Sequence, residues 1–67
     1  MTAADPNSHP YMLTWNGTDV PYIAPDKRTV FTLAEAMRVA DHEPVTVTDG
    51  ETGRVVWVGG RAMRGEL

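Results

Sequence analysis

The sequence predicts an α+β fold: a small two-layer β-β-α-β-β domain, with one helix on one face of an antiparallel sheet of three or four strands. Three observations carry it. Residues 45–58, VTVTDGETGRVVWV, read as a β-hairpin. Residues 11–23 hold a second hairpin around Asn16-Gly17. Between them, residues 32–42 are the one stretch with helical periodicity. Hairpins pair into antiparallel sheets, and a helix with one apolar stripe must bury it against such a sheet.

Residues 1–10 are polar and rich in Pro, Asn, Ser and His, with Ala for most of their apolar content. They read as a flexible N-terminal arm, in which His9 is a solvated histidine. No basic start precedes an apolar run, so no signal peptide is expected.

Tyr11 to Trp15 forms the first strand. Asn16-Gly17 is a strong two-residue hairpin signal, because a type I′ turn needs positive φ at both central positions. Pairing Trp15 with Thr18 sets Leu13 opposite Val20 and Tyr11 opposite Tyr22. One face then carries Tyr11, Leu13, Trp15, Val20 and Tyr22. The other carries Met12, Thr14, Asp19, Pro21 and Ile23. Pro21 cannot donate to a ladder, so its strand belongs at a sheet edge.

Ala24 to Arg28 reads as a connecting turn and Thr29 to Phe31 as a short extended run. The helix is expected at about residues 32–42. Thr32 and Glu35 have the spacing of a capping box. Leu33, Ala36, Met37 and Ala40 recur at i, i+3, i+4 and i+7, giving one apolar stripe. Pro44 ends it.

Val45 to Thr48 alternates strictly, and Asp49 to Gly53 supplies turn formers. With 49–53 as the loop, Val47 opposes Val55 and Val45 opposes Trp57, which puts all four on one face. Val56 and Val58 then fall on the opposite face beside Thr46, Thr48 and Arg54. Gly59-Gly60 ends the strand, and residues 59–67 read as a flexible C-terminal tail around a single domain spanning residues 11–58. The expected core is Leu13, Trp15, Val20, Val30, Leu33, Ala36, Met37, Ala40, Val45, Val47, Val55 and Trp57.

One helix covers one sheet face and leaves the other open. Met12, Ile23, Val56 and Val58, with Arg54 beside them, are the expected partner-binding residues. A contiguous apolar patch on a small domain marks an interface. The expected function is therefore a non-enzymatic protein–protein interaction module. It would either form a homodimer or bind and regulate another protein. The architecture looks like that of phage and mobile-element accessory proteins, some anti-CRISPR and host-takeover inhibitors among them, and no sequence motif carries that likeness.

Other chemistry finds little support. The chain has 67 residues, no cysteine and a net charge of −3. Without cysteine, disulfides and thiolate metal sites are excluded, which suits a cytoplasmic setting. No apolar segment approaches the ~20 residues of a membrane span. The only serine, Ser8, has no base near it in the arm. Asp41-His42-Glu43 is the one carboxylate cluster containing a histidine, and consecutive helical residues diverge by about 100°. No enzyme activity, cofactor or metal is expected. The acidic balance argues against nucleic acid. The alternative reading is a nucleic-acid edge built from Lys27, Arg28, Arg54, Arg61 and Arg64 with neighbouring aromatics.

Overall fold

The computed structural model of the chain describes residues 8–66. Its elements are β1 (His9–Trp15), β2 (Thr18–Ala24), α1 (Lys27–Asp41), β3 (Val45–Asp49), β4 (Val55–Val58) and β5 (Arg61–Ala62). The strands form one antiparallel sheet in the order β2-β1-β3-β4-β5. The α+β class and the β-β-α-β-β order hold, with a fifth strand appended. Residues 1–7 and 67, parts of the expected arm and tail, lie outside the described residues.

The first hairpin adopts the expected register, with Trp15 opposite Thr18, Leu13 opposite Val20 and Tyr11 opposite Tyr22. Asn16 (φ 50°) and Gly17 (φ 74°) both take the positive φ that a type I′ turn requires. The strand begins earlier than expected. His9 and Pro10, read as arm, pair with Ala24 and Ile23.

The helix also starts earlier, at Lys27 rather than near Thr32. Its N-cap is Asp26, whose carboxylate accepts from the Thr29 amide and hydroxyl, each at 2.8 Å. These bonds hold the Asp26 carboxyl below the usual aspartate range. The β-branched Thr29-Val30 pair costs only about 0.5 kcal/mol per residue in helix propensity. Burying Val30 and Phe31 returns about 1.5–3 kcal/mol each, so burial decides. The expected capping box does not form. Thr32 donates its hydroxyl to the Arg28 carbonyl, and Glu35 accepts from Arg38 at 2.7 and 2.8 Å. The buried stripe is Val30, Phe31 and Ala34, flanked by half-buried Leu33 and Met37, while Ala36 and Ala40 are exposed. His42 caps the C-terminus in the left-handed region, its amide donating to the Arg38 carbonyl.

The second hairpin departs from the expected register. Thr46 pairs with Val58, Val47 with Trp57 and Thr48 with Val55. Between the last two pairs β4 carries one residue more than β3, and that residue is Val56. This β-bulge turns Val56 and Trp57 both toward the helix and leaves Val55 and Val58 both on the opposite face.

Gly59 (φ 53°) and Gly60 (φ 107°) reverse the chain into β5 instead of releasing a tail. The Met63 amide then donates to the Val56 carbonyl at 2.8 Å. The core gathers Tyr11, Leu13, Ala24, Val30, Phe31, Ala34, Val45, Val47, Val56 and Trp57, with Phe31 stacked on Trp57 at 6.2 Å. Val20 and Val55, expected inside, are exposed. Among the described residues no helix is long and apolar enough to cross a membrane.

Candidate functional site

The sheet face turned away from α1 follows from the pairing. Going outward from the hairpin turn, its first row runs Asp19, Thr14, Thr46, Val58 and Arg61 across all five strands. The second row runs Pro21, Met12, Thr48 and Val55. Ile23 and Pro10 begin a third. Side chains one strand apart in a row stand about 5 Å from each other, so each row is a continuous ribbon of surface. The Thr14 hydroxyl donates to Asp19 at 2.9 Å, which fixes that carboxylate on this face.

Three of the five expected partner-binding residues meet here. Ile23 is 69% exposed, Val58 is 44% exposed, and Met12 is half-buried between strands. Val56 does not join them. It is 2% exposed, because the bulge rotates it into the core, and it contributes to packing rather than to a binding surface. Arg54 precedes β4 and extends toward the Glu66 carboxylate, 3.5 Å away. Sequence reasoning missed Val55, 43% exposed on this face, and Arg61, its basic end. Four consecutive apolar residues, Val-Val-Trp-Val, carry no alternation from which the bulge could be read.

The free edges of the sheet are poorly suited to adding a strand. In a two-residue hairpin the pair flanking the turn is hydrogen-bonded, so Trp15, Leu13 and Tyr11 bond Thr18, Val20 and Tyr22. Asp19, Pro21 and Ile23 therefore turn their backbone outward, and Pro21 has no N–H to offer there. The opposite edge, β5, is two residues long.

A second cluster lies where β1 begins. The His9 ring sits between two carboxylates, with Nε2 2.9 Å from Asp49 Oδ2 and Nδ1 3.3 Å from Glu51 Oε1. It stacks at a tilt on Tyr11, 4.9 Å between centroids. His9 is thus a structural link between β1 and the β3–β4 loop, not a solvated arm residue. The two ring nitrogens point in diverging directions. One His9 ring nitrogen and one carboxylate oxygen each from Asp49 and Glu51 nevertheless lie within 4.8 Å of one another, close enough together that the three could hold a metal ion. Asp49 Oδ1 is further held by the Glu51 and Thr52 amides at 2.8 and 3.1 Å. Burial first, and the Asp49 charge second, push the Tyr11 phenol up.

A shallow open groove of ~530 Å³ runs between the end of α1 and the Gly59 turn, past Arg38, Val39, His42 and Glu43. Its guanidinium is already bound bidentately by Glu35. The basic residues read as a nucleic-acid edge are likewise partly engaged: Lys27 and Arg54 both lie on Glu66. Trp57 is in the core and Trp15 packs against it.

Comparison with known proteins returns no matching family model, no matching curated protein and no matching solved structure.

Proposed function

We propose that this protein is a non-enzymatic protein-interaction module that docks through the open face of its sheet. One observation carries the reading. Val55, Val58 and Ile23 are exposed together on the face opposite α1, with Met12 between strands and Pro21 at the margin. Isolated exposed aliphatics are ordinary, but a cluster on one flat face exposes the kind of surface that interfaces cover. The three central threonines, Thr14, Thr46 and Thr48, give that surface hydroxyls that can bond a partner without burying charge. A cytoplasmic setting, and an accessory or inhibitor-like role of the phage and mobile-element kind, belong to the same proposal. They rest on the cysteine-free sequence and on architecture alone.

The test compares wild type with Val58→Asp, both checked for an unchanged cooperative melt. Each is immobilised and offered a mixture of proteins that includes the chain itself. Binding of any protein that is lost with Val58→Asp supports the reading. Equal binding by both, or none by either, overturns it.

A further inference from the structure

We infer that the occupant of the open face is a second copy of this chain, packed face to face about a two-fold axis running along β3. The inference rests on the open-face reading above and adds the partner and the symmetry.

The face is electrically polarised across its width. Its first row begins with Asp19 on the β2 edge and ends with Arg61 on the β5 edge, with Thr14, Thr46 and Val58 between them. The middle strand is β3. A two-fold axis along β3 exchanges left and right while keeping each row at its own height. Asp19 of one copy therefore meets Arg61 of the other, and this happens twice, once at each margin. Met12 meets Val55 and Thr14 meets Val58. Thr46 and Thr48 meet their own counterparts near the axis, where a hydroxyl can both donate and accept. The alternative in-plane axis, across the strands, would stack β2 on β2 and β5 on β5. It would set acid near acid and base near base. Charge complementarity selects the first.

Sheets packed this way lie about 10 Å apart and cross at about 30°, which long side chains at the margins can span. An edge-to-edge pairing is the competing mode, and Pro21 on one edge and the two-residue β5 on the other oppose it. Five strands at about 4.8 Å spacing and about 20 Å of strand give a footprint of roughly 400 Å² per copy before corrugation. Two copies would together bury roughly 800 Å², less than the ~1,000 Å² that a stable specific interface clears. The dimer is accordingly weak and concentration-dependent.

Sedimentation equilibrium from micromolar to millimolar concentration tests this on the full chain. A reversible dimer is expected. Val58→Asp removes it. Asp19→Arg and Arg61→Asp each raise the dimer Kd about three- to tenfold, as margin charges do, and the double exchange Asp19→Arg/Arg61→Asp restores it. Thermal melts of all four variants confirm that the fold is retained. A wild type that stays monomeric overturns the inference. If such a monomer still captures another protein in a Val58→Asp-sensitive way, the interaction reading stands alone. A dimer indifferent to Val58→Asp overturns the face as its interface. A dimer that both single exchanges weaken and the double exchange does not rescue overturns the axis.

Discussion

Lys27 Nζ donates to Glu66 Oε1 across 2.6 Å, tying the first residue of α1 to the segment that follows β5. The two ends of this link are not equivalent. Glu66 is buried and Lys27 is about a third exposed. A lysine in the first helical turn also faces the positive end of the helix dipole, which the carboxylate offsets.

Removing the lysine strands a buried carboxylate, which among the described residues only the Arg54 guanidinium, at 3.5 Å, then answers. Lys27→Met should cost about 1–2 kcal/mol. In a domain of this size each kcal/mol shifts Tm by about 4–8 °C. Adding Glu66→Gln neutralises the stranded charge, so the double variant should melt above Lys27→Met alone. Calorimetry of the single and double variants reads the difference. A double variant that melts lower would show that the carboxylate contributes through other contacts.

Val56 and Val58 should respond in opposite ways. Val56→Ala opens a void in a packed core and should cost about 2 kcal/mol. Val56→Asp should abolish the cooperative melt, because the carboxylate has no partner in that core. Val58→Asp should keep a melt within a few degrees of wild type. Circular dichroism melts decide. A stable Val56→Asp variant would mean that the bulge does not place this residue inward.

The second hairpin shows how far the sequence reaches. Val45-Thr46-Val47-Thr48 alternates, and its buried and less buried positions fall where the alternation puts them. Residues 55–58 are apolar throughout, so one extra residue in the ladder reverses the meaning of Val55 and Val56 without changing the composition. That single bulge removed Val56 from the candidate face and supplied Val55 to it. The helix shows the same limit. Asp26 and Thr32 are both acceptable caps, and local chemistry cannot choose between them. Burial of Val30 and Phe31 chooses, and that depends on the sheet beneath. The register of the Asn16-Gly17 hairpin was legible because its turn type admits one register, although its extension to His9 and Pro10 was not. His9 was not, since its partners Asp49 and Glu51 lie some 40 residues away.

Gly50 should be intolerant of any side chain. A Cβ there would sit 2.9 Å from the Pro10 carbonyl oxygen and 3.1 Å from the Pro10 carbonyl carbon, and backbone atoms cannot swing aside. The same approach carries the hydrogen bond from the Gly50 amide to the Pro10 carbonyl, at 2.9 Å. Gly50→Ala should cost about 1–3 kcal/mol by overpacking. Native-state hydrogen exchange should show the Gly50 position losing protection more than the far end of β3. Unchanged protection there would indicate that β1 does not depend on this contact.

Asp49 should make the fold acid-sensitive. Burial alone would raise its pKa. The bonds from His9 and from the Glu51 and Thr52 amides outweigh that and hold the carboxyl below the ordinary aspartate value of 3.8. A group with a depressed folded pKa contributes stability that is fully present above its unfolded value. That contribution is lost as pH falls through the folded one. Asp49→Asn keeps an acceptor for the loop amides but removes the charge that faces His9. Urea midpoints of wild type and Asp49→Asn, measured from pH 7 to pH 2, should therefore be well separated at neutral pH. They should begin to converge as pH falls below about 3.8 and meet only below the depressed folded-state value, once the wild-type carboxyl is protonated in both states. A gap that stays constant across the range would mean that Asp49 acts through shape and hydrogen bonding rather than through its charge.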